Sequence, residues 1–165
     1  MIRPEREGEA TAVAAVHRDA FGRELEPSIV DRVRPTGAYI PSLSLVYEDD
    51  GRILGHVLVS WAAIANGGPR VLLLGPLGVL PACQGKGIGG ALVRAALAAA
   101  RELGEPCVVL EGNPKYYARL GFVRADAFGL LPPEGTPDWA FQVAVLGDEA
   151  DLPQGRLVYP PGFPD

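Results

Sequence analysis

The chain has 165 residues, a formal net charge of −5 and two cysteines. This length suits a single domain, and we expect residues 1–165 to form one. The acidic balance argues against a general nucleic-acid binder, because neutralising phosphates requires clustered Lys and Arg. Two cysteines do not make a disulfide framework. The first five residues are unlike a secretory signal and no apolar run reaches the ~18 residues of a membrane span, so we expect a cytoplasmic protein without a membrane partner.

The first third of the chain predicts a strand and two helices. Residues 1–3 predict a short edge strand. Residues 5–21 carry apolar side chains on one stripe at helical spacing, which predicts an amphipathic helix. Residues 28–34 predict a second, shorter helix. His17 lies on the apolar stripe of the first helix, so we interpret it as a partly buried structural histidine.

The next segment predicts an antiparallel meander. Residues 43–47 and 52–63 predict the two strands of a hairpin, because the Asp50-Gly51 dipeptide between them is a strong turn signal. His56 lies inside the second strand. A lone histidine there is usually a packing residue, but this strand could border a substrate cleft, so His56 is also a candidate base.

A turn at residues 66–69 leads into an apolar strand at residues 71–80. This strand contains Gly75-Pro76 and Gly78. Proline removes a ladder donor and glycine packs weakly, so we expect a β-bulge or a splayed edge. One interpretation is an ordinary edge irregularity. The other is that the bulge frees backbone N–H groups between Leu77 and Val79 to face a ligand.

The loop after this strand is rich in glycine. It has the sequence Gln84-Gly85-Lys86-Gly87-Ile88-Gly89-Gly90 and leads into a helix that ends near Leu103. The first N–H groups of a helix have no internal partner and lie at the positive end of its dipole. Strand, glycine loop and helix start together predict an anion-binding site, usually for phosphate. The alternative is a tight glycine turn without a ligand.

Two known phosphate-binding motifs can be compared with this loop. The loop does not match a Walker A motif, G-x-x-x-x-G-K-[ST], because position 80 is leucine where the motif has glycine and position 87 is glycine where it has Ser or Thr. The dinucleotide fingerprint G-x-G-x-x-G fits Gly85, Gly87 and Gly90, and Glu111 follows about where a ribose-binding acid is expected. However, residues 81–84 separate the strand from the first glycine. The 54 residues after Glu111 are also too few for the further βα units of such a fold.

The second half of the chain predicts a strand–helix–strand unit and a less regular end. Residues 107–111 predict a short buried strand parallel to the strand at 71–80, with a right-handed crossover. Helical turns are expected at residues 116–120 and a strand at residues 122–128. A loop then leads to a last strand at residues 139–146. We expect the proline-rich tail to fold back over the surface.

Two motifs resemble those of a known superfamily. The loop matches Q/R-x-x-G-x-G/A, and residues 77–81 before it complete a pattern that resembles the acyl-CoA-binding motif of GNAT N-acetyltransferases. Downstream, Tyr116-Tyr117-Ala118-Arg119-Leu120-Gly121-Phe122 resembles the second signature of that superfamily, an aromatic pair followed by x-[KR]-x-G-F. The short connection at residues 112–117 resembles one branch of bacterial predicted acetyltransferases.

The resemblance implies a fold, a co-substrate and a set of site residues. The fold is α/β (α+β), with a mixed, mostly antiparallel sheet of six or seven strands, about four flanking helices and a splayed parallel pair at its centre. The reaction is acetyl transfer from acetyl-CoA to an amine, in which Tyr117 protonates the departing thiolate and Tyr116 packs beside it. The residues implied to bind the co-substrate are Leu77, Gly78, Val79, Gln84, Gly85, Lys86, Gly87, Ile88, Gly89 and Asn113.

Several functional questions stay open at the level of the sequence. The general base is Glu111, His56 or a water molecule. The acceptor is a small-molecule or peptide amine, a homodimer is compatible with the resemblance, and no metal-ligand spacing is present. Two other classes remain: a module of the same fold that binds acyl-CoA without turnover, and a fragment of a dinucleotide-binding oxidoreductase.

Overall fold

The computed structural model describes residues 1–164. This part of the chain contains four α-helices and nine strands, joined by loops and short 3₁₀ turns. None of these helices has the length and apolar character needed to cross a bilayer. The helices are α1 (Ala10–Phe21), α2 (Leu25–Val33), α3 (Ile88–Glu102) and α4 (Pro114–Tyr117). The strands are β1 (Ile2–Pro4), β2 (Tyr39–Asp49), β3 (Arg52–Ile64), β4 (Gly68–Val79), β5 (Cys107–Glu111), β6 (Val123–Arg124), β7 (Leu130–Leu131), β8 (Phe141–Val145) and β9 (Gly155–Val158).

The sheet is mixed and mostly antiparallel, as the resemblance implied. Its main path runs β1-β2-β3-β4-β5-β8-β6, and β9 pairs with both β3 and β7. Along the main path β4 and β5 are parallel and lie near the centre, whereas the other neighbours are antiparallel. The antiparallel neighbours β2, β3 and β4 follow one another in the chain through short turns, which confirms the predicted meander.

Helices cover the two faces of this sheet because side chains alternate along each strand. From β3, Val57 and Val59 face the core that contains Leu92 and Ala96 of α3. Leu58 of the same strand faces the opposite core, which α1 and α2 close. The second face of β5 and β8 packs against the tail, where Leu152 and Leu157 are buried. The alternation therefore separates α3 from the α1–α2 pair.

The centre of the sheet splits at the predicted interruption in β4. Val59 pairs with Leu74 but Val57 pairs with Leu77, so β4 contains one extra residue at Gly75-Pro76. The parallel ladder between β4 and β5 covers only Leu72–Val108 and Leu73–Val109. Beyond these pairs the two strands separate, which confirms the predicted bulge and splayed pair.

The structure corrects several predicted boundaries. Residues 122–128 do not form one strand: Val123–Arg124 is paired, and Asp126–Phe128 is a 3₁₀ turn closed by the N–H of Gly129 donating to the carbonyl of Asp126. Arg124 and Asp126 form an ion pair beside it. The predicted loop before β8 contains the short strand β7. The tail folds back as expected, but it also contributes β9, because Leu157 pairs with Ile64 at the end of β3.

Candidate active site

The glycine-rich loop adopts a backbone path that requires glycine. Gly87 precedes α3 in a left-handed conformation (φ 85°), and Gly85 is also left-handed (φ 76°). Residues with a Cβ adopt such angles at a cost, whereas glycine does so readily. The first N–H groups of α3 lack intrahelical partners, and the helix dipole makes this end positive. The loop and helix start therefore have the geometry of an anion cradle.

The side chain of Gln84 holds this loop against the sheet. Its Nε2 donates a hydrogen bond of 2.9 Å to the carbonyl of Val79, at the end of β4. Just before it, the N–H of Cys83 donates to the carbonyl of Leu80 at 2.8 Å and closes a 3₁₀ turn. These bonds keep the N-terminus of α3 beside the split edge of β4.

A cavity of about 670 Å³, here called the loop cleft, lies between the loop, the end of α1 and the turns around α4. Arg94 and Arg119 contribute two positive charges to its lining, and no acidic residue of the described chain lines it. In a protein of net charge −5 the lining of the cleft is therefore locally positive, which favours a negatively charged ligand. The predicted residues that line it are Leu77, Gly78, Val79, Gln84, Gly85, Gly87, Ile88 and Gly89.

Two predicted ligand residues lie outside that lining. Lys86 is on the loop with an exposed side chain. Asn113 caps α4: its Oδ1 accepts a hydrogen bond of 3.0 Å from the N–H of Lys115. Their roles in binding stay predictions. Arg94 and Arg119 line the cleft but were not predicted as ligand residues. Their positions, shortly after a phosphate-type loop and inside the second motif, were a signal that could have identified them.

The two adjacent tyrosines face different spaces. Tyr116 lines the loop cleft, and its hydroxyl lies 2.7 Å from the position that a Cβ on Gly89 would occupy. This close contact is compatible with the expected packing role, which stays a prediction. Tyr117 instead lines a second cavity. The rings meet edge to face with centroids 4.8 Å apart.

Tyr117 is held tightly and keeps its proton. Its ring packs edge to face on Phe122 at 5.7 Å, and its Cε2 lies 2.6 Å from where a Cβ on Gly112 would stand. Burial, and to a lesser degree Tyr116, raise the pKa of Tyr117 to about 12. Its hydroxyl has no hydrogen-bond partner among residues 1–164. Tyr117 is therefore protonated at neutral pH and has a free donor, as a general acid requires.

The second cavity, here called the tail groove, has a volume of about 1820 Å³. It is bordered by α2, by β4 from Leu73 to Leu77, by the end of β5 and by residues 156–164 of the tail. In the tail wall, Tyr159 and Phe163 stack with centroids 5.1 Å apart and nearly parallel planes. Leu77 lines both the tail groove and the loop cleft, so the two cavities adjoin at this residue.

Glu111 lies in the tail groove, at the C-terminal end of β5. The Tyr159 hydroxyl donates to Glu111 Oε2 at 2.5 Å, and the Thr136 hydroxyl donates to the same oxygen at 3.2 Å. These two donors orient the carboxylate. The hydrogen bond and the charge of Glu111, after burial itself, raise the pKa of Tyr159 well above its usual range. Tyr117 and Gly112 line the same groove, so Glu111 and Tyr117 face one space.

The two histidines form a buried chain and not a cavity wall. His17 and His56 are both 0% exposed, and His17 Nε2 lies 2.7 Å from His56 Nδ1. His56 Nε2 lies 2.8 Å from the Ser44 hydroxyl, which in turn donates to Glu5 at 3.1 Å. Because Ser44 has one proton and gives it to the carboxylate, His56 must donate from Nε2 and accept at Nδ1. His17 therefore donates from a protonated Nε2 to His56 Nδ1, and its own Nδ1 is unprotonated.

This arrangement excludes His56 as the general base. Both of its ring nitrogens are occupied, and it lines neither cavity of the described chain. Burial, the neighbouring His17 and Arg34 lower its pKa well below the usual value. His17 is fully buried, more completely than we expected, and burial lowers its pKa to about 4 against the opposing charge of Glu26.

Two alternative classes of site can be assessed from the fold. Among residues 1–164 there is no group of three or more His, Cys, Asp or Glu side chains arranged to hold a metal ion. The dinucleotide-binding interpretation is wrong, because the sheet is mostly antiparallel and a 3₁₀ turn separates β4 from the first glycine of the loop. The site is instead a split sheet edge beside an anion cradle, with an open groove behind it.

Comparisons with known proteins identify the family of this chain. A family model of the acetyltransferase (GNAT) domain matches residues 41–124. The chain is 31% identical over 151 residues to the uncharacterized N-acetyltransferase YhbS of Escherichia coli, which covers 91% of this chain and 89% of that protein. It is 33% identical over 116 residues to the uncharacterized N-acetyltransferase YjhQ of Escherichia coli, a match that spans 69% of this chain and 64% of YjhQ.

Solved structures extend the similarity over nearly the whole chain. The crystal structure of YhbS from Escherichia coli in complex with CoA superposes with a TM-score of 0.88 at 30% identity, covering 97% of this chain and 89% of that one. A GNAT family acetyltransferase from Brucella melitensis in complex with acetyl-CoA gives a TM-score of 0.81 at 36% identity, covering 98% and 96%. The chain belongs to the GNAT family of N-acetyltransferases.

The buried histidines predict an acid-sensitive fold. Their folded-state pKa values lie below the unfolded value of about 6.5, so the unfolded chain binds protons first as the pH falls. The free energy of unfolding should therefore decrease from pH 6.5 downward, and for His17 this continues to about pH 4. The slope is about 1.4 kcal/mol per pH unit for each histidine.

Urea unfolding at pH 7, 6 and 5, followed by tryptophan fluorescence, measures this slope. His17→Gln cannot titrate and should lose about half of the slope. Equal slopes in the parent and in His17→Gln would contradict the proposed protonation states.

Proposed function

We propose that residues 1–165 act as one N-acetyltransferase domain that moves an acetyl group directly from acetyl-CoA to an amine. The observation that carries the proposal is that two cavities adjoin at the split edge of β4. The loop cleft has an anion cradle and two arginines, and the tail groove has a carboxylate and the free hydroxyl of Tyr117. One ligand in each cavity would place an acyl donor and an acceptor side by side.

The loop cleft fits a CoA thioester in shape and charge. The N–H groups of the loop and the first turn of α3 would hold the pyrophosphate, and Arg94 and Arg119 would add charge. The segment Leu77–Val79 would lie along the pantetheine arm, where β4 has left β5. Two structural relatives, from Escherichia coli and Brucella melitensis, were crystallised with CoA and acetyl-CoA, which supports this assignment.

Positioning would supply much of the rate. A donor fixed in the loop cleft and an amine fixed in the tail groove would meet beside Leu77, which lines both cavities. Holding two reactants in line converts a bimolecular step into an effectively unimolecular one. In this direct transfer the C–N bond forms and the C–S bond breaks, and no covalent acyl-enzyme is required.

Tyr117 and Glu111 are suited to the two proton transfers. Tyr117 would give its proton to the departing thiolate, which its raised pKa of about 12 permits at neutral pH. Glu111 would take a proton from the acceptor ammonium, directly or through one water molecule, and pass it to solvent. The second N–H proton, which the nitrogen loses as the amide forms, would restore the proton that Tyr117 gives to the thiolate. Tyr159 and Thr136 hold only Oε2, so Oε1 has no hydrogen bond from the described chain and can face the amine.

A non-catalytic acyl-CoA sensor of the same fold is the alternative. A blocked acceptor space would favour it, and the tail groove is open. The acceptor remains a small-molecule or peptide amine. The predictions of a cytoplasmic location and of a homodimer stay predictions.

The loop assignment is tested with Gly87→Asp. An aspartate there adds a side chain and a negative charge where the phosphates would lie, so acetyl-CoA should bind at least about tenfold more weakly. Gly51→Asp is a matched control, because Gly51 has a similar left-handed backbone (φ 76°), open surroundings and a place in the distant β2–β3 turn. Calorimetric titration of both variants gives the comparison. Parent-like affinity in a folded Gly87→Asp protein would place the phosphates elsewhere.

The acid assignment is tested with Tyr117→Phe, which removes only the hydroxyl. General acid catalysis is worth ~10²–10⁴-fold, and a thiolate is a good leaving group, so kcat should fall by roughly ten- to several-hundred-fold with little change in acetyl-CoA affinity. Tyr116→Phe should reduce kcat much less. A thiol-release assay with an amine that the parent acetylates measures both. A larger loss in Tyr116→Phe would assign the acid to Tyr116, and equal rates would make Tyr117 a packing residue.

The base assignment is tested with Glu111→Gln. The amide keeps the shape and loses the proton acceptor, so kcat for the amine should fall by about 10²-fold near neutral pH. Raising the pH should recover part of the rate, because more of the amine is then already neutral. Glu134→Gln, in the same groove, is the control and should keep the parental profile. An unchanged rate in Glu111→Gln would leave deprotonation to water.

A further inference from the structure

Phe21 lies where the two cavities meet. Among residues 1–164, Phe21 and Leu77 are the residues that line both the loop cleft and the tail groove. Leu77 belongs to the split strand β4, and Phe21 is the last residue of α1, from the opposite wall. Phe21 is 40% exposed, which is high for a large aromatic residue and reflects its position on these cavities.

The acyl group must lie at this junction if the proposed function is correct. The CoA arm would fill the loop cleft and the amine would arrive from the tail groove, so the thioester carbonyl has to be reachable from both. The carbon chain attached to that carbonyl then extends beside Phe21 and Leu77. A ring that borders this space limits the length of chain that fits.

His17 supports one side of the Phe21 ring. His17, one helical turn earlier, stacks on it with ring centroids 6.1 Å apart and planes 21° apart. His17 is itself held by the hydrogen bond to His56, and its Nδ1 lies 2.7 Å from where a Cβ on Gly78 would stand. Directly after Phe21, Gly22 turns left-handed and ends α1, with its N–H bonded to the Arg18 carbonyl at 2.8 Å. The ring is therefore contacted on its helix side by a histidine that is itself hydrogen-bonded.

We propose that Phe21 is the residue that determines acyl-chain specificity, restricting the donor to acetyl-CoA and other short acyl-CoA thioesters. The chemistry is unchanged for a longer chain: the C–N bond forms, the C–S bond breaks, the amine proton passes to Glu111 and the thiolate takes the proton of Tyr117. Only the space for the chain differs.

The test compares acetyl-CoA with hexanoyl-CoA in the parent, Phe21→Ala and Phe21→Leu. Hydrophobic pockets discriminate by about 10-fold or more per methylene-sized change, so Phe21→Ala should raise the hexanoyl-to-acetyl ratio of kcat/KM at least about tenfold. Phe21→Leu keeps a bulky side chain and should change the ratio much less. Trp139→Ala is the control, because Trp139 is 56% exposed and lines neither cavity in the described chain.

Affinities separate this proposal from the proposed function. Calorimetric dissociation constants for acetyl-CoA and hexanoyl-CoA are measured in the same variants and need no acceptor. If the parent binds acetyl-CoA but acetylates no amine, a tenfold shift in the affinity ratio in Phe21→Ala still supports the role of Phe21. If the parent shows turnover, and Phe21→Ala changes neither the hexanoyl-to-acetyl ratio of kcat/KM nor the ratio of the two dissociation constants, Phe21 does not select the acyl chain. A parent that binds neither thioester overturns both proposals.

Discussion

The arrangement of both cavities depends on the point at which β4 leaves the sheet. One extra residue at Gly75-Pro76 shifts the pairing with β3, and the parallel ladder to β5 ends after Leu73 and Val109. Buried backbone groups normally have hydrogen-bond partners, and at a split edge a ligand can provide them. The loop cleft and the tail groove lie on either side of this edge. An unbroken β4–β5 ladder would close the space between them.

The two cavities also differ in charge. The loop cleft has arginines and a helix start but no acidic lining residue in the described chain. The tail groove carries both signs, because its lining includes three carboxylates and three guanidinium groups: Glu26, Glu111, Glu134, Arg23, Arg70 and Arg156. An anionic donor would therefore be attracted to the loop cleft, and the overall charge of −5 conceals this local positive lining.

Local patterns predicted the parts of the fold that depend on local physics. The glycine loop, the helix behind it and the interruption of β4 follow from backbone preferences of glycine and proline. Tertiary contacts decided the rest. The proline-rich tail has little strand propensity, yet Leu157 is buried (2% exposed) and completes a ladder with Ile64. Phe21 carries no sequence motif, and its place at the junction appears only when α1 packs across β4.

Three glycines outside the tight turns show why the positions of the site's rings could not be predicted. A Cβ on Gly78 would meet His17, one on Gly89 would meet the Tyr116 hydroxyl, and one on Gly112 would meet the Tyr117 ring, each at 2.6–2.7 Å. Real Cβ atoms do not approach other atoms so closely, so the lack of a side chain at each glycine leaves the room that the neighbouring aromatic side chain occupies. In sequence these glycines indicate turns, bulges or backbone contacts with a ligand. The ring that fills each space comes from another element, or across a turn, so its identity is a property of packing. The positions of His17, Tyr116 and Tyr117 thus depend on the small size of the glycines that they pack against, as well as on hydrogen bonds.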